Sequence, residues 1–159
     1  MSGKLSHVGA DGAARMVDVS AKADSSRMAR ATGQIQMSRA AYEAVAANSV
    51  AKGDVLGVAR VAGIMGAKRT AELIPLCHPV PLTDVGISLV TDPTLPGVRV
   101  EAVVRTIGKT GVEMEALSAV SVALLTVYDM VKALDKAMVI SDISLAEKTG
   151  GVGGPYARA

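Results

Sequence analysis

An α+β fold, with one antiparallel sheet layered against helices, is what this 159-residue sequence predicts, and three observations carry the prediction. Segments that alternate apolar and polar residues are interleaved with stretches of helical spacing, without the regular strand-helix-strand rhythm of a parallel sheet. The length is that of one domain, sufficient to bury a proper core. Half of the residues are hydrophobic, yet there is no Phe, no Trp and only three Tyr, so the core must be built from Ala, Val, Leu, Ile and eight Met, which favours close packing of small elements. That much apolar surface is also more than a small domain readily buries alone, and an oligomer is expected.

Residues 1–15 are small and polar and read as a flexible arm, with order beginning near Met16. Met16-Val17-Asp18-Val19-Ser20 alternates as a strand does, and Arg27 to Met37 alternates again. Ser38 is an N-cap for a helix through Ala47, and Asn48-Ser49 ends it. Asp54 caps a longer helical stretch, VLGVARVAGIMGAKRTAEL, whose Gly and Ala residues admit a second backbone at a propensity cost of roughly 1 kcal/mol per Gly; Pro75 stops it. Gly86 to Thr91 and Val98 to Ile107 flank the turn-rich Asp92-Pro93-Thr94-Leu95-Pro96-Gly97 and form a hairpin. A long helix runs from Val112 to Leu134, and Met138-Val139-Ile140 with Ile143 and Leu145 form the last strand. The domain therefore spans 16–150, and 151–159 is a Gly-rich flexible tail.

Charge and composition remove several functions. Seventeen basic against fifteen acidic residues leave a formal charge of +2, without the basic excess of a nucleic-acid binder, and base-stacking aromatics are nearly lacking. A small anionic ligand held by a few placed cations fits better. The longest uncharged apolar helical run, Ala116 to Tyr128, is shorter than the roughly 20 residues of a membrane span and reads as a buried helix. The N-terminal residues lack the pattern of a signal peptide, and one cysteine supplies no disulfide framework, so the expected compartment is the cytoplasm.

The motif Gly108-Lys109-Thr110-Gly111 is not a complete phosphate loop, because the glycine that pattern needs five positions earlier is Val103. It still precedes a helix N-terminus, where free N–H groups and the dipole favour an anion. Glu113 and Glu115 follow, either as first-turn acidic capping or as site groups. Asp129 and Lys132 share a face of the same helix, either as a surface salt bridge or, at the end of a thirteen-residue uncharged run that would leave Asp129 partly buried, as a proton-transfer pair. Lys52 precedes the Asp54-capped helix and Lys68-Arg69 lies near its end; by the usual rule these are solvated cations or a complement to the helix dipole.

Ile74-Pro75-Leu76-Cys77-His78-Pro79-Val80-Pro81 holds the only cysteine and one of two histidines. Pro79 forces His78 into an extended conformation, so neighbouring Cys77 and His78 point to opposite sides and do not form a thiolate-imidazole pair. The only other His or Cys is His7, too few ligands for structural zinc. Cys77 is left as a small buried hydrophobe, and His78 faces a pocket as donor or acid/base.

Taken together, MVDVSAK (residues 16–22), AGIMGAKRTAELIPLCHPVPL (62–82), GKTGVEMEAL (108–117), YDMVKALDKAM (128–138) and the tail ISDISLAEKTGG resemble the cyclic pyranopterin monophosphate synthase (MoaC) family of molybdenum-cofactor biosynthesis over nearly the whole chain and in the family's order. The resemblance implies a ferredoxin-like α+β fold, a homohexamer built as a trimer of dimers with active sites at subunit interfaces, and a phosphorus–oxygen lyase. Its substrate would be 3′,8-cyclo-7,8-dihydroguanosine 5′-triphosphate and its products cyclic pyranopterin monophosphate and diphosphate. By motif, Leu76, Cys77, His78, Glu113, Met114 and Glu115 would contact substrate. Asp129, Lys132, Lys52 and His78 would be catalytic. Arg27, Lys68 and Arg69 would be triphosphate or supporting cations. No resident cofactor or metal is implied; a divalent ion would come only with the triphosphate.

The ring rearrangement moves protons among nitrogen, oxygen and carbon, which asks for an acid/base team, and closing the cyclic phosphate expels pyrophosphate, which asks for cations. A non-catalytic nucleotide-binding oligomer would use the same cations and the same glycine turn, but has no need of the Asp129–Lys132 pair; a partner-binding role in a cofactor-assembly complex is a third reading. The chain departs from the family pattern in its tail, Gly150-Gly151-Val152-Gly153-Gly154, which lacks a lysine common there, at Gly66, where Ala is common, and at Met28, where a polar residue is frequent.

Overall fold

The computed structural model describes residues 12–159; the expected arm falls partly, and His7 wholly, outside them. The elements are β1 (Ser25–Gln36), α1 (Arg39–Ala46), α2 (Val55–Lys68), α3 (Thr70–Leu73), β2 (Leu82–Asp92), β3 (Gly97–Gly108), α4 (Glu113–Val131), β4 (Val139–Thr149) and β5 (Tyr156–Ala157). All strands pair antiparallel in one sheet of order β2-β3-β1-β4-β5. Setting aside the short α1, α3 and β5, the order is strand, helix, strand, strand, helix, strand, which is the ferredoxin-like arrangement, and the class is α+β.

Alternation in β1 fixes which face of the sheet is covered. Ala29, Ala31 and Ile35 are fully buried under the helices, while Arg30, Thr32 and Gln34 face the open side. There Arg30 bridges both neighbouring strands, at 3.1 Å to Glu101 and 3.3 Å to Glu147. α4 buries Ala116, Ala119, Val120, Ala123, Leu124 and Val127 at helical spacing against β1, β3 and α2. By length and composition α4 could cross a membrane, and this line of buried residues makes it the core helix of the layer.

The close packing expected from small residues is concentrated between α2 and α4. A Cβ at Gly63 would stand 2.9 Å from the main-chain oxygen of Ala119, and one at Gly66 would stand 2.8 Å from the Val122 side chain. Glycine at both positions lets the two backbones approach closely.

Two expectations about elements are corrected. Met16–Ser20 is not a strand: the Asp18 carboxylate accepts from the Ser20 N–H at 2.8 Å, an Asx turn that bends the segment, and the carbonyls of Val17 and Ser20 accept from side chains instead of a ladder partner. The stretch capped by Asp54 is two helices. It breaks at Arg69, where the Thr70 hydroxyl donates back to the carbonyls of Gly66 and Ala67, both at 3.0 Å. The stop itself is at Ile74, which is extended as the residue before Pro75 must be.

Candidate functional site

The loop from Ile74 to Pro81 and the first turn of α4 enclose a cavity of about 430 Å³. Leu76, Cys77 and His78 line it from the loop, and Glu113, Met114 and Glu115 line it from the helix. Two segments more than thirty residues apart in sequence thus meet because β2 and β3 return the chain to the same end of the sheet. Ile74, Thr110 and Gly111 complete the lining. All three belong to motifs already noted, but none was named there as a site residue.

The Cys77 thiol does not meet the His78 ring. It donates to Oε1 of Glu115 at 3.6 Å, with a second contact to the His78 carbonyl at 3.7 Å. Burial, with the Glu115 carboxylate beside it, pushes the thiol pKa up to about 11, so it is a donor and not a thiolate at neutral pH. Cys77 is therefore more than the small hydrophobe the sequence suggested. Glu115 is only 3% exposed, and its Oε2 has no hydrogen-bond partner among the described residues. Burial raises its pKa, against the lowering by hydrogen bonds from its backbone and from Cys77. Glu113, half-buried, pairs instead with Lys148 at 3.4 Å, a cation the residue-by-residue reading passed over although it lies inside the tail motif.

His78 Nε2 lies 2.7 Å from the main-chain oxygen of Val17. A carbonyl only accepts, so Nε2 carries the hydrogen, and Nδ1 is the nitrogen free to accept one in the neutral ring. The segment 17–20 is pinned a second time by Lys109, whose ammonium donates to the Ser20 carbonyl at 2.8 Å. Arg27, half-buried, spends its guanidinium on the protein: Nε donates to the carbonyl of Gly108 at 2.8 Å and Nη2 to that of Lys109 at 3.0 Å. The left-handed Gly150 and Gly151 lie against it, and a Cβ on Gly151 would collide with its Nη1. Arg27 thus ties the turn before α4 to the turn after β4.

Lys52, Asp129 and Lys132 form a second cluster. Lys132 reaches Oδ1 of Asp129 at 2.6 Å, and Lys52 reaches Oδ2 at 3.0 Å. The carboxylate is 58% exposed, so the partly buried position expected from its sequence neighbours is corrected: the apolar run faces the core, and Asp129 stands on the opposite side of α4. Hydrogen bonds from Lys132 and then Lys52 hold its pKa below the usual carboxylate range, while Asp129 raises that of Lys132. Both groups are held in their charged forms. About four helical turns, on the order of 20 Å, separate this cluster from Glu115 within one chain. Lys68 and Arg69 are exposed near the end of α2, and Lys68 lines a shallower depression with Val80, Thr83 and Asp84; among the described residues neither makes an ion pair. The described residues contain no group of three His, Cys, Asp or Glu placed to hold a metal ion.

The arrangement is an apolar-walled cavity with one acceptor pair, one imidazole and a helix N-terminus, plus cations elsewhere on the chain. The profile of the MoaC family matches residues 16–151. The chain belongs to the MoaC family. Among similar proteins it is 60% identical over 156 residues to the cyclic pyranopterin monophosphate synthase of Dinoroseobacter shibae, with 98% of each chain covered. It is 59% identical over 156 residues to that of Cereibacter sphaeroides, again with 98% of each chain covered, and 58% identical over 154 residues to that of Heliobacterium modesticaldum, with 97% of each covered. Membership in MoaC therefore extends from the strap at Val17 through the cavity to the glycine turn that Arg27 clamps.

Proposed function

We propose that this chain is a cyclic pyranopterin monophosphate synthase, a lyase of molybdenum-cofactor biosynthesis that converts the cyclised GTP derivative to cyclic pyranopterin monophosphate and diphosphate. The observation that carries the reading is identity of about 60% along essentially the full length to synthases of that name.

The purine-derived ring occupies the cavity, its walls supplied by Leu76 and Met114 and its polar edge met by Glu115 and His78. Ring opening and closure move protons, and the groups available are the His78 imidazole, the Asp129 carboxylate and the ammonium groups of Lys52 and Lys132. A sugar hydroxyl then attacks the α-phosphorus, forming the cyclic phosphate ester as the bond to the departing pyrophosphate breaks. Lys52, Lys132, Lys68 and Arg69 offset the charge on the leaving group, and any divalent ion enters with the triphosphate. Arg27 supports the glycine turn that the anion faces.

The two clusters stand on the order of 20 Å apart within one chain, which supports sites shared between subunits of a cytoplasmic homohexamer. The helix layer offers a surface for such assembly: Val58, Val61 and Met65 make an exposed stripe along α2, with exposed Leu125 on α4. The test is incubation of purified protein with the cyclised GTP derivative, following diphosphate and the pterin product. Turnover that Asp129→Ala abolishes while ligand binding persists is expected. Binding without turnover in the unmutated protein would instead establish the non-catalytic nucleotide-binding module.

A further inference from the structure

Glu115 is a costly residue to place where it stands. A carboxylate oxygen that is buried and unpartnered forgoes hydration without return, and such groups persist in folded proteins where something else uses them. Among the described residues only one of its oxygens is engaged, by the Cys77 thiol at 3.6 Å beside a bond from its own main chain, and both residues line the same cavity. A carboxylate bonded at neither oxygen turns freely about its terminal torsion; one held at Oε1 presents Oε2 in a single direction. We infer that Cys77 is a positioning residue for Glu115, its thiol holding Oε1 so that Oε2 stays free as the cavity's acceptor for an N–H or O–H group of the bound substrate.

The chemistry of sulfur suits the task. A thiol whose pKa is pushed to about 11 remains a donor throughout the neutral range, and its small, weakly hydrated sulfur reaches the carboxylate without bringing water into an apolar cavity. The other titratable groups near Glu115 do not replace it: His78 is committed through Nε2 to Val17, and Glu113, whose like charge repels that of Glu115, is paired with Lys148. The inference rests on the synthase reading for the identity of the substrate, and not for the pairing itself.

Two measurements decide it. In substrate-free protein, the Glu115 carboxyl is titrated by carbon-detected NMR. Cys77→Ala removes a hydrogen bond that favours the ionised form, so the Glu115 pKa rises, and Cys77→Ser, which keeps a donor, brings it back toward that of the unmutated protein. In turnover, Cys77→Ala lowers kcat/KM by about tenfold, mainly through KM, whereas on a Glu115→Gln background the same change makes less than about a twofold difference. An unmoved Glu115 titration, or an equal loss from Cys77→Ala on both backgrounds, overturns the inference. Should Cys77→Ala fail to fold, Cys77→Val, close in volume and without a donor, makes the same comparison. If the unmutated protein shows no turnover, the synthase reading fails and the titration alone still decides the pairing.

Discussion

Lys52 holds Asp129 by two contacts across the helix layer, its ammonium donating to the Asp129 main-chain oxygen at 2.8 Å and to Oδ2 at 3.0 Å. The first contact ties a loop lysine to the end of α4 whatever the charge state of the aspartate side chain; the second, with Lys132 on Oδ1, fixes the carboxylate itself. Because Lys52 precedes α2 and Lys132 follows α4, the two ammonium groups converge from different elements on one carboxylate.

This convergence predicts a separation of activity from stability. All three side chains are about half exposed, and exposed ion pairs contribute little to folding. Lys52→Ala should therefore leave the thermal midpoint essentially unchanged while lowering kcat by about 10²-fold or more, the usual loss when a positioned acid/base or charge-stabilising group is removed. Asp129→Asn should behave alike, with ligand binding retained in both. Equilibrium binding, a melting curve and a diphosphate-release assay check the three parts.

The distance between the two clusters predicts complementation. Glu115 and Asp129 stand on the order of 20 Å apart along one rigid helix, and the proposed site shared between subunits draws His78 and Asp129 from different chains. Co-refolded mixtures of His78→Ala and Asp129→Asn, each inactive alone, should then recover a measurable fraction of the unmutated rate, because some interfaces receive an intact residue from each partner. Recovery is read as diphosphate release, and light scattering reads the oligomer. No recovery in a mixed oligomer would place both residues in one chain's site.

Much of this was legible in the sequence. The capping residues Ser38 and Asp54, the hairpin turn and the long apolar helix each depend on local chemistry, and each formed close to its expected limits. The strand expected at Met16–Ser20 failed because alternation does not reveal that Asp18 will turn the chain back on itself or that His78 and Lys109 will claim its carbonyls. The same limit applies at the site. The cavity residues were named from their motifs, yet the Cys77–Glu115 bond joins positions 38 apart and the exposure of Asp129 depends on how α4 is rotated on the sheet. Contacts made through tertiary packing leave no periodicity to read.

Glu115 makes a pH-dependent prediction. Its pKa is raised in the folded chain, so the unfolded chain gives up the proton first. The stability it permits is therefore fully present below the ordinary glutamate range and declines as pH rises through the folded value. Glu115→Gln removes the buried charge and should stabilise the substrate-free protein at neutral pH by about 1 kcal/mol, the scale of an unsatisfied buried acceptor, with the advantage vanishing in acid. Urea melts at several pH values check the sign. The same variant should bind substrate less tightly, a trade of stability for function.

The contact between α2 and α4 supplies the last prediction, in which two effects of opposite sign compete at Gly63. Replacing glycine by alanine within a helix gains about 1 kcal/mol of propensity. Here, however, the new Cβ would stand 2.9 Å from the Ala119 main-chain oxygen, also meeting Ile87 and Ala123. A backbone carbonyl inside α4 cannot rotate away as a side chain can, so the helices must separate, and overpacking of this kind costs about 1 to 3 kcal/mol. Gly63→Ala should therefore be net destabilising and lower the thermal midpoint by a few degrees. Gly66→Ala meets chiefly the Val122 side chain, at 2.8 and 2.9 Å, with the Ser118 carbonyl further off at 3.2 Å. It should cost less, because a side chain and a modest shift can absorb part of the clash. A paired melting experiment decides the order: if Gly63→Ala proves the more stable of the two, the close approach of the helix backbones is not what keeps glycine at that position.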